Sequence, residues 1–218
     1  MKRNQGYMQW LSLFLILGML IGCKGPNQPL SGRAIDGQII DEKTQQPLEG
    51  AIVIARWSGT VGGMAHSSTV CFHVETATTD TQGRYLTESW SKISEFGNST
   101  DQGYVVTAFK PGYYAKTSLT GDIALPSFTG TREERLEYLK QVVRSSSCHD
   151  AEESERNLYV LLENIYKEAK LLAKLPDDQG TLDWIRRIAA RTYLALPSDT
   201  PSSKSDKMRE EFLKDHLK

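Results

Sequence analysis

Residues 37–53, Gly-Gln-Ile-Ile-Asp-Glu-Lys-Thr-Gln-Gln-Pro-Leu-Glu-Gly-Ala-Ile-Val, constrain the fold more than any other part of the chain. Ile39, Ile40, Ile52 and Val53 are β-branched and suit a pleated, partly buried surface, while Asp41 to Gln46 is polar. Pro47 ends strand pairing and Gly50-Ala51 lets the next strand begin, so the stretch predicts a hairpin of two strands around a solvated turn. On the second strand Ala51, Val53 and Ala55 fall on one face, and Ile52 and Ile54 on the other. A strand apolar on both faces needs cover on both.

Short β-type runs separated by turn signals continue to Leu125: residues 51–57, 66–79, 84–90, 103–109, 113–119 and 123–125. Residues 58–63 read as a glycine-rich loop. In Asp80-Thr81-Gln82-Gly83 the aspartate caps its own turn and the glycine takes positive φ, and Lys110-Pro111-Gly112 is a further turn. About seven short strands at this spacing predict an antiparallel β-sandwich.

Four blocks occur in order: Gly37-x-Ile39-x-Asp41, Pro47-Leu48-x-Gly50-Ala51-x-Val53, Thr79-Asp80-x-x-Gly83-x-Tyr85 and Lys110-Pro111-Gly112-Tyr113. Together they resemble the carboxypeptidase regulatory-like domain, a prealbumin-like member of the Ig-type sandwiches, over residues 32–125. The resemblance implies a sandwich with a non-catalytic accessory role and does not imply a peptidase. Residues 58–70 depart from compact members of that family as an insertion-like segment, read as a solvated connection.

At the start of the chain, Lys2 and Arg3 precede an apolar run over residues 10–22, too short for a spanning helix of about 20 residues. This is the pattern of a signal peptide. Its end, Leu20-Ile21-Gly22-Cys23, resembles a bacterial lipobox, which implies cleavage before Cys23 and lipidation of that cysteine, with palmitate among the acyl groups. Lys24 in place of aspartate implies, by resemblance to the sorting rule of enteric bacteria, the outer membrane. Loss of Lys2 and Arg3 moves the net charge from −1 to about −3, which gives no basis for nucleic-acid binding.

With Cys23 assigned to the anchor, Cys71 and Cys148 remain as an even pair in a compartment that permits disulfides. A bridge is the default reading, and two free thiols are the alternative. A third reading is a metal site, because Cys71 and His73 share one strand face at period two and Cys148-His149 adds two more ligand types. Adjacent Cys-His is not a usual zinc spacing.

Beyond Pro126 the apolar period changes from two to about 3.6. Thr131-Arg132-Glu133-Glu134 is a capping box for a helix through Arg144, with Leu136, Leu139 and Val143 on one face. A second helix is expected over residues 151–174, with Leu158, Leu161, Leu162, Ile165, Ala169 and Leu172 in one stripe. A third is expected over residues 182–196, capped by Thr181, followed by Pro197, with Ile185, Ile188, Ala189 and Leu196 apolar. Three amphipathic helices need a surface to cover, and Ile52 and Ile54 on the sandwich supply one.

Chemistry is harder to find. His149-Asp150-Ala151-Glu152 has the His-x-x-Glu spacing of two carboxypeptidase zinc ligands, but no second histidine, catalytic glutamate and arginine accompany it in a large α/β domain. Asp150 and Glu152 are accounted for by a helix N-terminus. His66 and His73 lie in a β region without a paired nucleophile, and Lys110 has no asparagine placed beside it for an isopeptide bond.

The expected organisation is a lipoprotein signal peptide (residues 1–22), a lipidated tether (23–31), the sandwich (32–126), a helical segment packed on it (127–197) and a polar tail (198–218) with a short helix near residues 207–217. The expected function is that of a lipid-anchored cell-envelope protein, not an enzyme and without a cofactor. Its partners would be the membrane through the anchor and an envelope protein or polysaccharide, with no nucleic acid. Two alternatives differ in class: a metal-binding or enzymatic factor using Cys71, His73, Cys148 and His149, and an outer-membrane lipoprotein of a secretion apparatus.

Overall fold

Among the described residues, nine β-strands precede three α-helices. The strands are β1 (Pro29–Gly32), β2 (Asp36–Asp41), β3 (Ile52–Gly62), β4 (Ser67–Thr78), β5 (Arg84–Leu86), β6 (Trp90–Ile93), β7 (Ser99–Phe109), β8 (Lys116–Ser118) and β9 (Ile123–Leu125), and the helices are α1 (Arg132–Ser145), α2 (Tyr159–Leu172) and α3 (Gln179–Leu194). This computed structural model describes residues 29–62, 66–93, 99–148 and 156–194, with helical positions at 207, 210, 211 and 214. The signal-peptide region, Cys23, His149, Leu196 and Pro197 lie outside the described residues.

The strands form three sheets: β4-β3-β7-β8, β5-β2-β9 and β1-β6. Nine strands stand where seven were expected, and β2 pairs with β9 in parallel, so the fold is sandwich-like without being wholly antiparallel. The higher count has a local cause. β1 and β2 are one run broken at residues 33–35, and their antiparallel partners β6 and β5 are one run broken at residues 87–89. At the break the Ile35 amide donates to Thr87 Oγ1 and the Thr87 amide donates to the Ile35 carbonyl, each at 2.9 Å, which satisfies backbone groups the ladder leaves free. β1 also takes in Pro29 to Ser31, which the sequence assigned to the tether.

Residues 37–53 are not a simple hairpin. The turn itself closes, with the Asp41 amide donating to the Gln46 carbonyl at 2.8 Å and the Leu48 amide to the Ile39 carbonyl at 2.9 Å. The chain then turns at Gly50, whose φ of 70° suits glycine, and β3 enters the opposite sheet. The stretch is therefore a corner joining two layers. Ala51, Val53 and Ala55 face inward and share a core with Ile39, Tyr85 and Ile123.

The expected glycine-rich loop is also strand. β3 runs on through Gly62, pairing with Ser67 to Cys71 of β4 on one side and with β7 on the other. Pairing with β4 along residues 58–62, and with β7 at Ser58, Thr60 and Val61, outweighs their glycine content. For the same reason β7 begins at Ser99 rather than at Gly103.

The outer face of the four-stranded sheet is covered by helices. Ile52, Ile54, Val74 and Phe109 share a second core with Leu139, Leu161, Ile165 and Ile185. Thr131 caps α1 through a complete capping box, with the Glu134 amide donating to Thr131 Oγ1 and the Thr131 amide donating to Glu134 Oε2. α2 starts at Tyr159 after a 3-10 turn, Arg156–Leu158. α3 starts at Gln179, after the 3-10 turn Pro176–Asp178, so Thr181 lies inside its first turn and is not the cap. Proline at the start of that turn presets φ and brings helical geometry forward by about one turn. No helix among the described residues is long and apolar enough to cross a membrane.

Candidate functional site: a clamped helical layer and two clefts

Cys71 and Cys148 are joined by a disulfide, with Cα atoms 5.4 Å apart and a sequence separation of 77. The bridge ties β4 to the turn after α1, and both cysteines are buried in the helix-facing core. His73 is elsewhere. Trp57 pairs with His73 and Ser58 with Cys71, so Phe72 is an extra residue in β4, a β-bulge that breaks the period-two alternation. Cys71 therefore faces the helices, while His73 lies on the inner side, its ring 4.4 Å from Trp90 and its Nε2 2.6 Å from Glu75 Oε1. The reading of Cys71 and His73 as two ligands on one face is overturned by this single inserted residue. Among the described residues no group of three or more His, Cys, Asp or Glu side chains is placed to hold a metal. Lys110 Nζ donates to the Glu49 carbonyl at 2.5 Å.

A second fastening, not anticipated from sequence, holds the other end of the helical layer. Arg135, buried on α1, donates through Nε and Nη2 to both carboxylate oxygens of Glu168 on α2, and its Nη1 donates to the Tyr113 carbonyl at 2.6 Å. Glu168 also accepts from the Gly112 amide at 3.0 Å. Phe128 and Tyr138 flank the guanidinium at 4.9 Å and 5.3 Å from their ring centroids, a cation–π setting that helps offset its desolvation. A buried arginine spaced to match no local partner carries no signal in the sequence.

The four blocks converge at the same end. Asp41 of the first block accepts from the Tyr113 hydroxyl of the fourth at 3.0 Å, and from the Lys43 and Thr44 amides. These donors, the Thr44 amide foremost, hold its carboxyl below the ordinary value against an opposing effect of burial. Thr79 of the third block donates to the Leu48 carbonyl of the second at 2.5 Å and accepts from the Ala51 amide at 2.8 Å. The convergence is a structural lock between layers. Each of these polar groups is satisfied by another protein group, which leaves this end with turn chemistry rather than an obvious reactive centre.

Two clefts open beside the helical layer. One, of about 370 Å³, lies between α1 and the outer face of the sheet at β8, lined by Arg56, Thr107, Thr117, Tyr138 and Gln141 among others. It is polar. Thr107 and Thr117 hydroxyls bond each other at 2.9 Å, and Arg56 donates to the Ser145 carbonyl at 3.2 Å. The other, of about 270 Å³, lies between the end of α1, the 3-10 turn before α2, and α3. Its floor is Val143, Leu158 and Leu162, with Trp184 and Ile188 on the wall and Arg144 and Arg191 at the rim.

No protein-family model matches the chain, and no curated protein matches it. Among solved structures, the chain is similar to the C-terminal domain of the shaft pilin spaA from Lactobacillus rhamnosus GG, at 12% identity and a TM-score of 0.24, over 45% of this chain and 99% of that one. It is similar also to a 9R-lipoxygenase from Cyanothece PCC8801, at 10% identity and a TM-score of 0.26, over 84% of this chain and 29% of that one. Likeness at these scores establishes neither a shared fold nor a shared activity.

Proposed function

We propose that the chain is a lipid-anchored, non-catalytic binding protein of the cell envelope, in which sandwich and helices act as one rigid body toward an envelope protein or polysaccharide. The observation that carries this reading is the double fastening of the helical layer, by Cys71–Cys148 at one end and by Arg135 and Glu168 at the other. Two clefts bordered by that layer are then held in fixed shape, which lowers the ordering cost of binding. The anchor rests on the lipobox-like Leu20-Ile21-Gly22-Cys23. Residues 23–28 extend at most about 20 Å, so a lipid on Cys23 holds the β1 end of the sandwich close to the bilayer.

Detergent-phase partitioning in the native host tests the anchor: the wild-type chain enters the detergent phase, and Cys23→Ala stays in the aqueous phase. Photo-crosslinking in cells from Gln141, exposed beside the larger cleft, tests the binding role by capturing a discrete envelope component. Equal partitioning of both forms would overturn the anchor, and a crosslinker at Gln141 that captures nothing would overturn the binding role.

A further inference from the structure

We infer that the cleft between α1, α2 and α3 is a binding site for a small anionic amphiphile, a carboxylate or phosphate carried on a short apolar body. The inference deepens the binding role proposed above and rests on it. Val143, Leu158 and Leu162 close the floor and are almost wholly buried, whereas Trp184 and Ile188 on the wall remain partly open to solvent. An apolar surface in an open cleft is the part of a site that takes hydrocarbon. At about 270 Å³ the cleft is near the lower end of small-molecule sites, which fits a single short chain or ring and excludes a diacyl lipid or a folded peptide.

The rim supplies the charge. Arg144 and Arg191 both border the opening, both are exposed, and no carboxylate is among the described lining residues. Among the described residues, Arg132, Arg135 and Arg186 each meet a carboxylate, whereas neither Arg144 nor Arg191 does. Arg144 is held over the Trp184 ring at 5.5 Å, so its guanidinium is oriented at the mouth before any ligand arrives. Two guanidinium forks above an apolar floor match an anionic head on an apolar tail, since arginine binds carboxylate and phosphate through paired hydrogen bonds. The hydroxyls of Ser146 and Ser147 beside the rim already donate to the Val142 and Arg144 carbonyls, so recognition of the head falls to the two guanidinium groups.

The test is photoaffinity labelling of the full chain in a nonionic detergent with a diazirine-bearing medium-chain carboxylic acid, with adducts mapped by peptide mass spectrometry. The expected adducts lie on peptides containing residues 143–147, 158–162 or 184–192. Decanoate and decyl phosphate compete, the stronger of the two distinguishing a free fatty acid from a phosphorylated amphiphile, and decanol does not. Combined Arg144→Gln and Arg191→Gln reduces labelling about tenfold, the loss expected for a charge-assisted hydrogen-bond pair. Lys170→Gln, an exposed change on the distal part of α2, leaves it unchanged. Intact folding of the variants is read from the far-ultraviolet spectrum and the disulfide. Labelling that is scattered, absent, competed equally by decanol, or insensitive to the arginine substitutions overturns the inference. The detergent-phase partitioning above is independent of these outcomes, so a failed ligand and a failed anchor are told apart.

Discussion

Arg135 and Glu168 meet as a two-pronged pair, Nε to Oε1 at 2.8 Å and Nη2 to Oε2 at 2.9 Å, with side chains only 4% and 11% exposed. The pair joins α1 to α2, and through the Tyr113 carbonyl and Gly112 amide it joins both helices to the turn before β8. One guanidinium thus fixes three elements. Arg132, three residues earlier on the same helix and more open to solvent, meets Glu133, Asp178 and the Leu172 carbonyl and ties only helix ends.

Removing either member of the buried pair should destabilise the chain strongly. Arg135→Ala and Glu168→Ala are each expected to cost about 3–5 kcal/mol, because each leaves the opposite charge buried without its partner. Replacing both by apolar residues, Arg135→Met with Glu168→Leu, should cost less than either alanine change. Urea unfolding of the four proteins at neutral pH measures this, and a double variant weaker than both single variants would show that the pair is not the clamp.

The disulfide should contribute through the loop it closes. A bridge across 77 residues restricts the unfolded chain by about 4 kcal/mol. Cys71→Ser with Cys148→Ser, or reduction of the wild type, is expected to lower the urea midpoint by a matching amount. The mass should rise by two hydrogens on reduction, with both thiols then open to alkylation.

Acid should weaken the chain through its capped aspartates. Asp41, Asp80 and Asp178 are all held below the ordinary carboxylate value, first by backbone amides of Thr44, Arg84 and Leu175 respectively. A folded-state value lower than the unfolded one means stability that is fully present above about pH 4 and lost as pH falls through the folded-state value. Asp41→Asn should therefore lower Tm at neutral pH and flatten its decline in acid, so that variant and wild type converge. Tyr113→Phe, which removes one donor to Asp41, should act in the same direction and less strongly. Tm measured across the acid range checks both.

Gly83→Ala should be poorly tolerated. Gly83 has φ of 70°, and a Cβ there would run into the Ile39 carbonyl oxygen, to whose residue the Gly83 carbonyl is bonded at 2.8 Å. Strain in the left-handed region together with this contact is expected to cost about 1–3 kcal/mol. Gly112→Ala, with φ of 82° and no atom near the added carbon, should cost less. Thermal unfolding of the two variants distinguishes conformational strain from crowding.

Local signals in the chain reach as far as local physics does. The capping box at Thr131, the turn at Asp80 to Gly83 and the apolar stripes of the helices are short-range patterns, and the structure has each of them. The division of β3 into an inner Ala51, Val53 and Ala55 face and an outer Ile52 and Ile54 face is equally local, since side chains alternate along a strand. By contrast, the parallel β2–β9 pair, the breaks at residues 33–35 and 87–89, and the passage of residues 37–53 between layers depend on partners far away in sequence.

The candidate sites divide in the same way. Cysteine count left Cys71 and Cys148 as a bridge, as two free thiols or as metal ligands, and tertiary structure joined them. Sequence spacing placed His73 with Cys71, and the bulge at Phe72 separated them, because one unpaired residue in a ladder reverses every facing beyond it. Arg144 and Arg191, 47 positions apart by their numbers, belong to one rim only because α1 and α3 pack side by side. The sequence by itself determined the capping box, the tight turns, the helical stripes and the two apolar faces of β3, since those follow from propensity and period. Tertiary structure alone decided which faces meet, which charges are buried together and where clefts remain, since those are set by packing between residues that no local pattern connects.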